Sequence, residues 1–420
     1  PTPRKLAGFI SGKGKQEEKG KDPASDIKDY DYSAIHELLS RNCVENVNRI
    51  ETAKLGDILL TGATGFLGIH VLREFLISYP GRVYCLVRKG NYPSCEKRLM
   101  NMLMYYFDTP FMDAFEDRIV CIDGDITDRD MVKSLARFSF TAVINCAACV
   151  KHFVKDDLLD RINVEGVRNI VELCVETGRR MVQISTTSVA GEGNARTVPS
   201  SKRMHENELY FGQILENDYI RTKFLAERLI LEACVKDGLE AKIIRVGNLM
   251  SRKSDGEFQI NFVTNGFMRA LGAYKTLGCF PVGAMHAPAE FSPIDSTAAA
   301  VLKLAASGGG FTVFHAYNSH RIYMSDVIYA MGAYGFEIRI VPDEEFEQIL
   351  KSAAGQGEKS DAVLGLIAYA SDDENQRYEL MSENQFTAEA LYRLGYKWPI
   401  TDDAYLENAI KALDTLEFFG

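Results

Sequence analysis

From residue 58 onward, short apolar, β-branched runs alternate with longer stretches of helical period, and no other feature of the chain restricts its fold as much. The runs are 58–61, 82–87, 118–122, 142–146, 181–185 and 242–246, with helical candidates at 66–79, 95–107, 130–137, 158–176 and 219–236 between them. A strand that is apolar on both faces needs cover on both faces, and strands separated by helices pair in parallel. The expected class is therefore α/β: a doubly wound parallel Rossmann sheet with a smaller, mainly helical C-terminal substrate-binding part. The chain divides into 1–10, a short amphipathic helix; 11–28, a Lys/Glu/Gly/Ser-rich flexible linker; and 29–255, the dinucleotide domain. Over 256–420 the alternation weakens and helices dominate, with scattered short strands such as 311–316, and the chain can return to the sheet.

Composition narrows the function. At 420 residues, 46% hydrophobic and 25% charged, the chain is globular, and 48 basic against 58 acidic residues give a net charge of −10. That balance argues against a nucleic-acid partner, which needs a basic face. No apolar run is long enough to span a bilayer, so no membrane is expected. Nine cysteines, an odd number, fit free thiols in a reducing cytoplasm.

The first strand runs into Thr61-Gly62-Ala63-Thr64-Gly65-Phe66-Leu67-Gly68. Gly62 makes the tight turn, Gly65 permits close approach of a pyrophosphate, and Gly68 lets helix and strand pack, with the phosphate charge at the helix N-terminus. Three glycines alone are equally a structural turn; the apolar strand before and the amphipathic helix after favour dinucleotide binding by Thr61, Gly62, Thr64, Gly65, Phe66, Leu67 and Gly68. The second strand ends in Arg88 and Lys89, where a site for NAD carries an acid. A guanidinium fork matches a phosphate, so NADPH is the expected cofactor. For Arg98, one helix on, the same phosphate and the plain surface are competing readings. Asp125 and Ile126 follow the third strand and suit the adenine edge, while Ala147 and Ala148, after the fourth, leave room for ribose and nicotinamide. Cys146 and Cys149 form a CxxC, but no second ligand pair accompanies it, and small residues beside the cofactor are the preferred reading; no metal site is expected.

The fifth run ends in Ser185-Thr186-Thr187, and some 30 residues later Tyr219 and Lys223 lie four apart entering a helix, on one face. Hydride delivery to a carbonyl leaves an oxyanion that needs a proton. A phenol is a poor acid until a nearby ammonium stabilises its phenolate, which assigns that task to Lys223, together with the ribose, and proton donation to Tyr219. Thr186 can hydrogen-bond the carbonyl oxygen as charge develops. The segment 196–213 reads as a lid or as an ordinary surface loop. Tyr210, Phe211, Phe258, Phe262, Phe267 and Phe280 read as an acyl channel or as core.

With these residues in place, the chain resembles the extended short-chain dehydrogenase/reductase superfamily. Within it, the chain is most similar to the terminal thioester reductase domain of nonribosomal peptide synthetases, itself related to the reductase domain of carboxylic acid reductases. The resemblance rests on the glycine turn, Cys85-Leu86-Val87-Arg88, Lys97-Arg98-Leu99, Gly124-Asp125-Ile126, Ile184-Ser185-Thr186-Thr187-Ser188-Val189, Tyr219-Ile220-Arg221-Thr222-Lys223 and Arg245-Val246-Gly247-Asn248. It implies a substrate held as an acyl or peptidyl thioester on a phosphopantetheine arm. Catalysis would use NADPH with Thr186, Tyr219 and Lys223, releasing an aldehyde with the option of further reduction to an alcohol. It also implies an upstream peptidyl carrier domain as partner, whose last helix 1–10 resembles, and a monomeric domain of a larger synthetase. Two rivals remain at this point: a nucleotide-sugar epimerase or dehydratase, against which Arg88 and Lys89 speak, and a non-catalytic NADP sensor, which has no need of the Thr-Tyr-Lys set.

Overall fold

The computed structural model describes residues 23–150, 157–191, 203–260, 265–353, 363, 366 and 382–416. Seven strands form one parallel sheet: β1 (Ile58–Thr61), β2 (Val83–Val87), β3 (Ile119–Asp123), β4 (Ala142–Asn145), β5 (Arg180–Thr186), β6 (Ala241–Val246) and β7 (Val313–Ala316). Their spatial order is β7-β6-β5-β4-β1-β2-β3, so the direction of winding reverses between β1 and β4. In register, Ile58 lies beside Val83 on one side and Ala142 on the other. In such sheets the crevice beyond the strand C-termini at the reversal is where a ligand has room.

The long helices that cover the sheet and build the remainder are α1 (Phe66–Ser78), α2 (Cys95–Tyr106), α3 (Gly166–Thr177), α4 (Asp218–Asp237), α5 (Gly266–Leu277), α6 (Ile294–Ala305), α7 (Met324–Tyr334) and α8 (Asp403–Thr415). Successive strand residues point to opposite faces, and both sets are apolar. Ile58, Leu60, Val83, Cys85, Ile144, Val182 and Ile244 pack under α1, α2 and α6. Leu59, Tyr84, Leu86, Val143, Met181 and Ile243 pack under α3 and α4. This two-sided burial is why the strands read as unbroken apolar runs. A third core gathers α5, α7 and α8 around Phe258, Phe280, Met331 and Tyr405.

Segment 256–420 is shared between layers. Its α5, α7 and α8 form the third core, whereas α6 packs on α1 and β7 becomes the sheet edge beside β6. The helix Gln385–Arg393 then covers β7 and meets the 3-10 helix Val44–Arg49, with Arg393 Nε donating to the Ile50 carbonyl at 2.9 Å.

Two expectations are corrected. The linker reading of 11–28 fails at its end, because Pro23–Lys28 is a short helix. Ile27 in it is buried, Tyr32 donates its hydroxyl to the Ile27 carbonyl at 2.9 Å, and Asp26 pairs with Arg228 of α4 at 2.8 Å. Ile27, the ion pair and the Tyr32 hydrogen bond together tie down the end of a stretch whose composition is otherwise polar. The lid reading of 196–213 fails over 203–213: Met204 and Leu209 are fully buried, and Gln213 Nε2 donates to Val189 O at 3.1 Å and Leu209 O at 2.9 Å. Residues 1–22, 196–202 and Phe262 lie outside the described residues. No helix among the described residues is long and apolar enough to cross a membrane, and all nine cysteines are thiols.

Candidate active site

The glycine turn closes as its spacing requires. Gly62 has φ +71°, and a Cβ there would lie 2.6 Å from Ala147 N and from the Cys146 carbonyl carbon. A Cβ on Gly68 would stand 2.1 Å from Gly62 O, so α1 can pack this close to β1 only through glycine. Gly65 is exposed and is the N-cap of α1 without a capping side chain, which leaves the first-turn N–H groups directed at the crevice, ready for an anion. Thr64 and Phe66 are half-buried at this opening, whereas Thr61 and Leu67 are buried beneath it. Thr61 supports the floor: its hydroxyl donates to Asn145 Oδ1, which also accepts from Ala147 N at 3.2 Å, while Asn145 Nδ2 donates to Gln183 Oε1 at 2.8 Å. Gln183 Nε2 in turn donates to Ile184 O at 2.8 Å. The ends of β1, β4 and β5 are thereby tied side by side.

Arg98 reaches back to the end of the second strand, and the backbone of Lys89 is tied to the third. Arg98 Nη1 donates to Arg88 O at 2.7 Å, and Lys89 N to Asp123 Oδ1 at 2.9 Å. The Arg88 side chain is 57% exposed and faces Asp125 at 3.5 Å, an open and weak pair that an incoming phosphate can replace. Asp125 also accepts from Thr127 N at 2.9 Å, which orders the turn. Ile126 is buried and its carbonyl accepts from Asn169 Nδ2 at 2.8 Å, so it contributes shape more than a polar contact. Ala147 and Ala148 stand at the crevice, half-buried and exposed. Small residues, a bare helix N-terminus and an exposed guanidinium fit a phosphorylated dinucleotide.

Thr186 ends β5 and caps the turn Thr187–Ala190, its hydroxyl accepting from Ser188 N at 3.1 Å. Tyr219 opens α4, where Asn217 Oδ1 accepts from Tyr219 N at 2.9 Å and Ile220 N at 3.2 Å. Burial pushes the Tyr219 phenol up to about 12, and a hydrogen bond with Thr186 pulls it back. One turn further, Lys223 is 4% exposed and donates to Ile184 O at 2.7 Å. Burial lowers its ammonium to about 8, opposed by the Glu227 carboxylate and by Cys146. Cys146 links the two halves of the site, with its backbone against Gly62 and its thiol near Lys223. Burial raises that thiol to about 12, and no metal-ligand cluster occurs among the described residues.

Two supports escaped the sequence reading. Asn163, 2% exposed, sits in the π-turn Arg161–Glu165 before α3. It accepts from Cys149 N at 2.8 Å and donates to Cys149 O at 3.0 Å and to Thr222 Oγ1 at 3.1 Å, holding the loop after β4 against α4. A π-turn has no period to look for. The second is the buried pair Glu227–Arg245, with Arg245 Nη2 donating to Glu227 Oε2 at 2.7 Å. Its traces in the sequence were Arg245 in the Arg245-Val246-Gly247-Asn248 motif and the helical spacing of Tyr219, Lys223 and Glu227, neither of which pairs the two. Of the aromatic residues, Phe258 and Phe280 are core, and Tyr210 stacks on Tyr32 at 5.1 Å.

A family model described as "Male sterility protein", of NAD-binding proteins, matches residues 60–301. The solved thiolation-reductase di-domain of an archaeal non-ribosomal peptide synthetase superposes with a TM-score of 0.89 at 39% identity, covering 100% of this chain and 86% of that one. A reductase domain of the aureusimine biosynthetic cluster shares the fold, with a TM-score of 0.75 at 23% identity over 96% of this chain and 100% of that one. A linear gramicidin synthase of Brevibacillus parabrevis is 26% identical over 366 residues, 85% of this chain; the chain spans only 7% of that relative's length.

Proposed function

Since the chain belongs to this NAD-binding family, and within it to the terminal reductase domains of non-ribosomal peptide synthetases in the short-chain dehydrogenase/reductase superfamily, we propose that it reductively releases an acyl or peptidyl thioester from an upstream carrier domain as an aldehyde. The observation that supports this most is the meeting of the Thr186 and Tyr219 hydroxyls at the end of β5, beside a glycine turn joined to Lys223 through Cys146.

NADPH, when bound, supplies hydride to the thioester carbon. It would be held by Gly62, Thr64, Gly65 and the first turn of α1, with Arg88, Lys89 and Arg98 on its phosphate and Asp125, Ile126, Ala147 and Ala148 beside its rings. Everything else falls to this chain's own side chains. Thr186 and Tyr219 hold the carbonyl oxygen, and as negative charge develops there the phenol yields its proton. A phenol near 12 is a reluctant acid, so the hydrogen bond from Thr186 and a positive charge one turn away both ease the transfer. The buried Lys223 carries that charge and would hold the ribose of the bound dinucleotide; its ammonium donates to Ile184 O at 2.7 Å. Collapse of the hemithioacetal then frees the carrier thiol.

The test mixes the protein with NADPH and a pantetheine thioester, follows the nicotinamide absorbance, and identifies the product by mass spectrometry. Stoichiometric loss of absorbance with an aldehyde or alcohol is expected. Unchanged absorbance with either reduced or oxidised dinucleotide would overturn the proposal, and turnover of a nucleotide sugar without net cofactor consumption would transfer the chain to the epimerase reading.

A further inference from the structure

The face of α4 that carries Tyr219 and Lys223 continues, four residues on, to Glu227, which is fully buried. Its carboxylate receives Arg245 Nε at 3.0 Å and Nη2 at 2.7 Å, from the C-terminal end of β6, and the hydroxyl of Ser185, the neighbour of Thr186 on β5. Arg245 is also fully buried; its Nη1 lies 2.9 Å from His315 Nε2 on β7, and its Nη2 donates to Glu208 O at 3.1 Å. We propose that Glu227, braced by Arg245 and Ser185, is a positioning residue that holds Lys223 as an ammonium and seats the Thr186 end of β5 against the catalytic helix. The inference rests on the reductive reading above, since it acts through the residues that reading employs.

The energetics favour this division of labour. A buried ion pair adds little net stability over a well-packed apolar pair, so its cost is easier to understand if it serves a neighbour. Around Lys223, the groups that bear on its charge are Glu227 on its own helix and the Cys146 thiol after β4, and its ammonium donates to the Ile184 carbonyl on β5. Only Glu227 among them is an anion. Around Glu227 stand Arg245 of β6 and Ser185 of β5, with His315 of β7 behind Arg245; burial and Arg245 hold His315 neutral. Burial lowers the Lys223 ammonium, and the carboxylate one turn away opposes that. Because the same carboxylate accepts from Ser185, one anion registers the lysine and the threonine strand together.

Two variants test this, Glu227→Gln and the double variant E227Q/R245M, which does not leave the Arg245 guanidinium buried without its carboxylate. The first readout needs neither cofactor nor turnover: protein carrying isotope-labelled lysine is titrated by NMR, the Lys223 resonance being assigned by its loss in Lys223→Arg. The wild-type resonance should titrate near 8 and that of both variants about one pH unit lower or more. The second readout is the pH profile of thioester reduction, where the alkaline limb should move down so that activity at pH 8, relative to pH 6.5, falls about fourfold or more. An unmoved Lys223 titration in a folded variant overturns the inference. So does collapse of both variants, read by circular dichroism, which would confine the pair to fold stability. Absence of thioester reduction by the wild type, with the Lys223 shift still present, would instead defeat the reductive reading and leave the electrostatic coupling standing.

Discussion

At the level of single residues, Tyr219 and Arg88 carry the sharpest consequences, for opposite reasons. Tyr219 is held by its helix cap and by Thr186, so replacing it with Phe removes one hydroxyl and little packing. Tyr219→Phe should bind NADPH as the wild type does, by fluorescence titration, while turnover falls by about 10² to 10⁴; a loss under about threefold would remove the phenol from the proton path. Arg88 is mostly solvent-exposed and its one ion pair is long, so Arg88→Ala should fold normally and raise KM for NADPH far more than for NADH. Equal effects on both cofactors would refute the phosphate role. These residues were legible because their chemistry is local: a glycine turn, a cation after a strand, a Tyr and Lys at helical spacing. Asn163 and the Glu227–Arg245 pair were not, since each acquires its meaning only from partners 14 or more residues away.

Among the elements, α4 is the one whose placement decides the site. Its N-terminus is fixed by Asn217, whose side chain satisfies two of the first N–H groups, and its C-terminus by Gly238 in the left-handed region at φ +68°. Asn217→Ala should cost about 1 kcal/mol of stability, measured by denaturant unfolding, and lower kcat more than it raises KM, because the first turn bears Tyr219. Loss of stability with kcat intact would show that the cap does not govern the tyrosine. The apolar runs announced six of the seven strands to within one residue, because a parallel strand covered on both faces is mostly apolar, whereas β7 stood in the sequence only as a scattered short strand, 311–316, of the C-terminal part. The helix Pro23–Lys28 was hidden for the converse reason: Ile27 is the one large apolar residue in its sequence, and it is the one that is buried among residues 26–28.

For the molecule as a whole, buried titratable groups set how stability responds to pH. Burial raises Glu290 to about 7 and Glu206 to about 6. A carboxyl raised in the folded state takes up a proton more readily there than in the unfolded chain. Its stabilising contribution is therefore complete below about pH 4.5 and is lost as pH rises through the folded value. His70, lowered to about 4 by burial, acts in the other direction: its contribution is present above pH 6.5 and is lost as pH falls toward 4. Glu290→Gln should thus gain on the wild type in Tm as pH is raised from 5 to 8, by a few degrees at the upper end. A Tm difference that stays constant across this range would show that Glu290 does not titrate in it.

The sheet's outer edge has a practical corollary. β7 arrives only after α5 and α6 have been laid down, and the helix that covers it returns to lean on residues 44–50. A recombination joint placed near residue 256 would therefore transplant a nucleotide-binding half lacking its last strand and that strand's roof. Chimeras that exchange specificity between relatives should instead keep 294–316 and 385–393 with the recipient and swap the stretches between them, treating the reductase as an interleaved unit in place of two consecutive modules.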